Sequence, residues 1–301
     1  MTGPRVTSAP ASPAETPAPP GITPAKWYFA VNGQGFERTL PLIRAAVASA
    51  RANTGLRPMC LYNGGKARHA RELAGLGVEV VSHRSSLEAE LRAAYGESFD
   101  TFSGHWLRVD LPEIERSDEF ILYTDVDVMF LAPPRVEPPP LLAAAPEFEI
   151  GNTSYFNSGV MVLNLPRLRE VQDEFTAAIR RRLRHGFRYP AHDQKSYNDF
   201  FGRGPLNRLR GRAFSPMSPA LNWKPYWGVN EDASIVHFHG PKPRLAKRLA
   251  ARGGEVATSD TYRALWRRAP DAYEAYVAMW EAHRAAGTLG RRARGGHRTP
   301  A

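Results

Sequence analysis

Two aspartates, Asp125 and Asp127, stand one residue apart inside the otherwise apolar run "FILYTDVDVMFL". Ionised carboxylates are almost never buried unless they are paired or bind a metal. In an extended chain, residues i and i+2 point to the same side, so both carboxylates can face one point. Two hard oxygen donors aimed at one point suit Mg2+ or Mn2+. The plainer alternative is a pair of turn-capping aspartates.

The surrounding elements must place that pair. "WYFAVNG" reads as a first strand ending in a turn. The segment "RTLPLIRAAVASARANT" follows, with Leu40, Ile43, Ala46, Val47 and Ala50 at helical spacing. "RPMCLYNGG" reads as a second strand and turn, "KARHARELAGLG" as a second helix and "VEVVSHR" as a third strand. This alternation predicts βαβ units and a parallel sheet covered on both faces. A short helix is expected from about Phe102 to Ile114, and then "EFILYTD" as a central strand. In an open α/β sheet, ligands collect outside the carboxyl ends of the strands, and Asp125 and Asp127 stand at such an end. Further on, "LLAAAPEF" and "SYFNSGVMVLNL" read as strands and "LREVQDEFTAAIRRRLRHG" as an amphipathic helix. "ASIVHFHGPKPR" reads as a last strand running into a loop. A C-terminal helix broken at Pro270 closes the fold.

The chain has 301 residues, 43% hydrophobic and 23% charged, with a net charge of +10 dominated by arginine. A basic surface favours anionic partners: nucleotides, acidic glycans, lipid head groups or nucleic acid. Biased codon usage would give the same arginine excess. Cys60 stands alone, so no internal disulfide forms and a reducing compartment fits. No stretch is apolar for the roughly 18 residues a membrane span needs. Residues 1–25 are Pro-rich without an apolar signal core and are expected to be a disordered leader. The catalytic body is expected over residues 26–250, a C-terminal helical extension over 251–288, and a disordered basic tail over 289–301. The expected location is the cytoplasm, either free or peripheral at the inner membrane face.

An Asp-x-Asp at a strand end also occurs in haloacid-dehalogenase-like phosphohydrolases, but there it lies on the first strand. Here about a hundred ordered residues are expected before it. Six pieces in order, "FAVNGQG", "WLRVDLPEI", "ILYTDVDVMF", "YFNSGVMVLNL", "HDQKSYNDF" and "IVHFHGPKP", span roughly Trp27 to Pro243. Together they resemble the glycosyltransferases of family 8, the group of bacterial lipopolysaccharide galactosyltransferases and glycogenin. The resemblance implies a GT-A fold: a single-domain α/β structure with a mixed, mostly parallel sheet flanked by helices. It also implies a nucleotide-sugar donor, a divalent metal and retention of anomeric configuration.

Carried over residue by residue, the resemblance makes His237 the third metal ligand beside Asp125 and Asp127. Imidazole with two carboxylates suits Mn2+. His239 points the same way in an extended chain and could substitute. Gly240 and Lys242 would approach the diphosphate. The family's spacing between that glycine and lysine is one residue longer, so Arg244 or Lys247 could share the role. Arg108 would reach the donor, and Ala30, Val31 and Asn32 would line a uracil pocket. Asn157, Ser158, Asp193 and Gln194 would bind hydroxyls of the donor sugar. Gln194 would lie near the anomeric carbon on the face where a nucleophile would sit. Glutamine is a poor nucleophile, so front-face attack with an oxocarbenium-like transition state is expected. The polar residues Asn157, Ser158, Asp193 and Gln194 also suit plain end caps.

Two further stretches stand out. "LNWKPYWG" gathers Trp223, Tyr226 and Trp227 in one loop, which suits either an acceptor platform or ordinary packing. Basic residues cluster from Arg180 to Arg212. They suit a solvated face, an anionic acceptor or a membrane surface, and no base-reading motif accompanies them to suggest nucleic acid. The expected partners are therefore a nucleotide-sugar donor and a glycan, lipid-linked or small-molecule acceptor. Two other classes stay open: a nucleotidyltransferase acting on a sugar phosphate, and a dead transferase that only binds sugar or nucleotide. The first would want a Gly/Arg/Lys-rich first loop, where "VNGQGFER" offers only Arg38.

Overall fold

A computed structural model describes residues 21–185 and 193–294. The expected leader and tail lie largely outside the described residues, and so does Pro190, expected to precede a helix. Within the described residues Ile22 already bridges Val136, its N–H donating to the Val136 carbonyl at 2.8 Å.

The strands are β1 Lys26–Asn32, β2 Arg57–Asn63, β3 Glu79–Ser82, β4 Phe120–Thr124, β5 Val128–Phe130, β6 Leu142–Pro146, β7 Phe156–Asn164, β8 Ser215–Pro216 and β9 Ile235–His237. The helices are α1 Phe36–Asn53, α2 Ala67–Gly75, α3 Glu88–Tyr95, α4 Phe99–Trp106, α5 Leu111–Ile114, α6 Leu165–Arg184, α7 Asp193–Phe201, α8 Pro205–Leu209, α9 Pro243–Ala251, α10 Asp260–Arg268 and α11 Pro270–Arg294.

Seven strands form one sheet in the order β3-β2-β1-β4-β7-β6-β8, and β5 pairs with β9 in a second, two-stranded sheet. Strands β3, β2, β1 and β4 are parallel, β7 runs antiparallel to both β4 and β6, and β8 is parallel to β6. The sheet is therefore mixed and mostly parallel, as expected. Both faces are buried, which explains why the central strands are apolar without alternation. Tyr28, Leu61, Ile121, Tyr123 and Met161 face one core, with α4, α6 and α7. Trp27, Phe29, Cys60, Leu122 and Val160 face the other, with α1 and α2.

Three differences from the sequence reading matter for the site. The segment expected as one helix from Phe102 to Ile114 is α4, a 3₁₀ stretch Leu107–Asp110 and α5. Helix α3 was not expected, although Leu87 and Leu91, four apart, are fully buried. The loop expected after His237 instead enters α9, with Pro243 in its first turn, where proline's missing N–H costs no helical bond. Helices α10 and α11, broken at Pro270 as expected, bury Leu265, Trp266, Tyr273, Tyr276 and Trp280 in a third core with Phe238.

Candidate active site

Strand β4 ends at Thr124, and the chain turns through Asp125-Val126-Asp127 into β5. The turn is fixed from both sides. Asp125 N–H donates to the Gly159 carbonyl at 2.8 Å, and Phe238 N–H donates to the Asp127 carbonyl at 2.9 Å. In the β5–β9 pairing Val128 sits opposite His237. That register carries the imidazole next to the residue preceding Val128. Ligand atoms of Asp125, Asp127 and His237 all lie within 4.8 Å of one another, and His237 Nε2 is 3.5 Å from Asp127 Oδ1.

The other imidazole nitrogen, Nδ1, lies 3.0 Å from Asn222 Oδ1. Asn222 in turn donates through Nδ2 to Asn157 Oδ1 at 3.0 Å. With its amide thus oriented, Asn222 accepts from Nδ1–H and leaves the Nε2 lone pair facing the carboxylates, the arrangement of a metal-ligating histidine. Burial lowers the His237 pKa against the pull of Asp127, which favours the neutral, ligating form. Burial alone would raise the Asp127 pKa, but Lys242 and His237 outweigh it and hold the carboxyl far below its usual range.

The cradle also has the right emptiness. Gly159 lies across from the triad, and a Cβ there would collide with His237 Cε1 and stand 2.7 Å from Asp125 Oδ2. Only glycine leaves that space open. A two-carboxylate, one-imidazole donor set around such a space fits a divalent ion of the Mn2+ or Mg2+ kind.

Lys242 forms an ion pair with Asp127 Oδ2 and donates to the Phe238 carbonyl at 3.1 Å. Its ammonium thus stands beside the Asp125–Asp127–His237 cluster. Arg244 is exposed on α9, and Lys247 pairs with Glu281 3.6 Å away, so neither joins Lys242 there. Gly240 has φ +95°, and a Cβ on it would stand 2.8 Å from Leu265 Cδ1. Its lack of a side chain lets the loop fold tightly against α10.

Arg108 is buried, not a surface ion-pair former. Its Nη1 donates to the Ser158 carbonyl at 2.7 Å and reaches Asp125 Oδ1 at 3.4 Å; its Nη2 donates to Ser158 Oγ at 2.8 Å and ion-pairs with Asp193. The rigid guanidinium fork thereby ties the metal strand to the first residue of α7. Gln194, next along α7, accepts from Ser158 N–H at 3.0 Å, Asn157 Nδ2 at 3.1 Å and Ser158 Oγ at 3.3 Å. The four residues expected on the sugar side, Asn157, Ser158, Asp193 and Gln194, are thus one connected network.

Glu147 joins that network and was not singled out from the sequence. Asn157 Nδ2 donates to its Oε2 at 2.6 Å, and His239 Nε2 stands 3.1 Å from its Oε1. Burial pushes the Glu147 pKa up, but His239, Asn157 and Gln194 bring it down to about 2. His239 is therefore committed to Glu147 and, through Nδ1, to the Tyr226 hydroxyl 3.0 Å away, and is not a substitute for His237. Below Glu147 lies Lys224, wholly buried, donating to the Pro146 carbonyl at 2.7 Å with Nζ 4.3 Å from the Trp227 ring centre. Burial lowers its pKa to about 7.

The aromatic loop mainly packs. Tyr226 is buried and donates to the Glu147 carbonyl at 3.0 Å, Trp223 Nε1 donates to the Gly228 carbonyl at 2.8 Å, and Trp227 Nε1 donates to the Phe148 carbonyl at 2.7 Å.

On the other side of the triad a cavity of about 310 Å³ opens at the end of β1. Ala30, Val31 and Asn32 line it with Thr101, Gly104, His105 and Val126, and it runs to Asp125, Asp127 and Lys242. Asn32 is braced: its Nδ2 donates to Ser103 Oγ at 2.9 Å and its Oδ1 accepts from Gly35 N–H at 2.8 Å. Arg38, the third residue of α1, also lines this cavity.

No protein-family model matches the chain, and no curated protein matches it in sequence. Solved structures match in shape. The galactosyltransferase LgtC, in complex with donor and acceptor sugar analogs, has a TM-score of 0.53 at 17% identity, covering 80% of this chain and 99% of that one. The glycosyltransferase GlyE of Streptococcus pneumoniae TIGR4 has a TM-score of 0.52 at 14% identity, covering 87% of this chain and 64% of that one. The bifunctional glycosyltransferase WbbM, in its apo structure, gives 0.50 at 14%, covering 85% of this chain and 53% of that one. At these identities the likeness establishes the architecture: a single α/β domain of the GT-A type.

Proposed function

We propose that the protein is a glycosyltransferase of the family 8 kind. It would move a hexose from a UDP-sugar to a hydroxyl acceptor with retention of configuration, in the cytoplasm or at its membrane face. The observation that carries this reading is the position of the Asp125–Asp127–His237 cluster. It stands between an open cleft at the end of β1 and a buried polar network of Arg108, Asn157, Asp193 and Gln194. A nucleotide fits the first, a diphosphate the middle and a sugar the second. The printed description of LgtC, bound to donor and acceptor sugar analogs, is in keeping with this order.

Asp125, Asp127 and His237 would hold Mn2+ or Mg2+, which when bound supplies Lewis-acid stabilisation of the leaving diphosphate. Lys242, beside Asp127, adds a cation for the same phosphates. Arg108 holds Asp193 and Ser158 in place at the sugar. The carbonyl of Gln194 already accepts from Ser158 N–H and Asn157. This engagement supports a positioning role over a nucleophilic one, and hence attack from the face the diphosphate leaves. No described helix is long and apolar enough to cross a membrane, in keeping with at most peripheral docking.

The test is a panel of UDP-sugars incubated with Mn2+ and simple glycosides, with the anomeric configuration of any product read by NMR. An α-linked product from an α-linked donor is expected. An inverted product would overturn the stereochemical reading. Pyrophosphate release from a nucleoside triphosphate and a sugar phosphate would favour a nucleotidyltransferase instead. Nucleotide binding without turnover of any donor would favour a sugar- or nucleotide-binding protein.

A further inference from the structure

Between α7 and β8 the chain presents two leucines to solvent. Leu206 and Leu209, in the single turn of α8, are 67% and 85% exposed. Three residues apart on a helical turn, they share a face. Arg208 lies between them, and Arg203 and Arg210 flank them. The nearby acids are engaged elsewhere: Asp199 pairs with Arg182 and Lys195, and Glu174 with Arg212. Among the described residues Arg203, Arg208 and Arg210 have no carboxylate partner.

The turn is braced. Phe214 N–H donates to the Phe201 carbonyl at 2.8 Å across its base, Arg212 N–H donates to the Asn207 carbonyl at 2.7 Å, and Asn207 Nδ2 donates to the Asp199 carbonyl at 3.3 Å. The leucines are thus held outward by a defined support. Arg181, exposed near the end of α6 and beside Asp199, extends the positive charge on the side that Asp199 links to α8.

Apolar side chains set among unpaired arginines match the two layers of an anionic bilayer surface, acyl boundary below and phosphates above. A stable protein partner needs roughly 800 Å² of shaped contact per side, far more than a five-residue turn offers, whereas a fluid interface needs no shape complement. We infer that α8 is a membrane-docking turn. Leu206 and Leu209 enter the boundary between head groups and chains of an anionic membrane, while Arg203, Arg208 and Arg210 stay at the phosphates. This inference is independent of the transfer reaction proposed above.

The test is co-sedimentation of the full chain with vesicles of phosphatidylcholine, alone or mixed with phosphatidylglycerol. Binding to the mixed vesicles only, weakened by salt, is expected. The double variant Leu206→Ser/Leu209→Ser should bind at least about tenfold less, since two leucine transfers are lost. Both side chains are exposed, so its thermal midpoint should stay unchanged. A second readout is Leu209→Cys carrying a polarity-sensitive dye, with the native Cys60 buried and unlabelled. Its emission should shift to the blue on mixed vesicles. Equal sedimentation of wild type and leucine variant, or an unshifted dye, would overturn the inference. A dimer in analytical ultracentrifugation that the leucine variant abolishes would overturn it too, assigning the face to a second copy.

Discussion

The two ends of the cleft are built differently. The end proposed for the nucleotide is the simpler one: the last residues of β1 contribute Ala30, Val31 and Asn32, and α1 and α4 complete its wall, with Ser103 of α4 bracing Asn32 across 71 positions. The end proposed for the sugar is joined across more such long separations. Arg108 reaches Asp193 across 85 positions, Asn222 reaches Asn157 across 65, and Tyr226 reaches the Glu147 backbone across 79. The first end carries few ionised groups, while the second is a dense buried network. The difference teaches where each end is vulnerable. A network of buried charges is costly to open at one point, because each remaining partner is left desolvated and unpaired.

The largest effect should come from Arg108→Leu. It removes the cation that Asp193 and Asp125 share in a buried setting. We expect a loss of about 3–5 kcal/mol in urea unfolding. A loss below the level of an ordinary surface substitution would contradict the network account. Next is Gly159→Ala, which puts a methyl group into the space facing His237 and Asp125. The overpacking should cost about 1–3 kcal/mol, and Mn2+ affinity by calorimetry should fall with it. Unchanged Mn2+ affinity would show that the open space is not the ion's.

Asn222→Ala tests the support of His237 without touching a ligand. Metal affinity should fall about ten- to a hundredfold, while uridine, which lacks the diphosphate, should bind as before. A parallel loss of uridine binding would mean the change spreads beyond the metal end. A further effect is a pH dependence. The Glu147 carboxyl sits at about 2 in the folded protein, below its ordinary value of 4.5. Its stabilising contribution is therefore complete above the ordinary value and fades as pH falls toward about 2. Glu147→Gln should lack this term, so the stability gap between the two proteins should close across that window. A constant gap would place the source of acid sensitivity elsewhere.

How legible these ends were follows from the same contrast. Asp125 and Asp127 declare themselves because two charges interrupt an apolar strand, and the β1 turn is a contiguous stretch. The βαβ order was readable because each central strand is a short apolar run and α1 keeps its helical spacing. Glu147, Asn222 and Lys224 carry no such mark. Each is a polar residue near an ordinary loop, and its role exists only after β6, β7 and the 223–227 loop are brought together. His239 shows the converse error. Two-residue spacing puts it on the side of His237 in an extended chain, but β9 ends at His237, and His239 turns to Glu147 and Tyr226. Pro243 marks a helix start as readily as a loop, so the sequence around it leaves α9 open.

The central claim is that Asp125, Asp127 and His237 bind the ion that holds a nucleoside diphosphate. It is tested most directly by calorimetric titration of UDP with Mn2+ and again with chelator, in wild type, Asp127→Ala and His237→Ala. The account predicts binding that needs Mn2+ in the wild type and is lost in both variants, with each variant still folded by circular dichroism. UDP binding that ignores Mn2+, or that survives both substitutions, would contradict it.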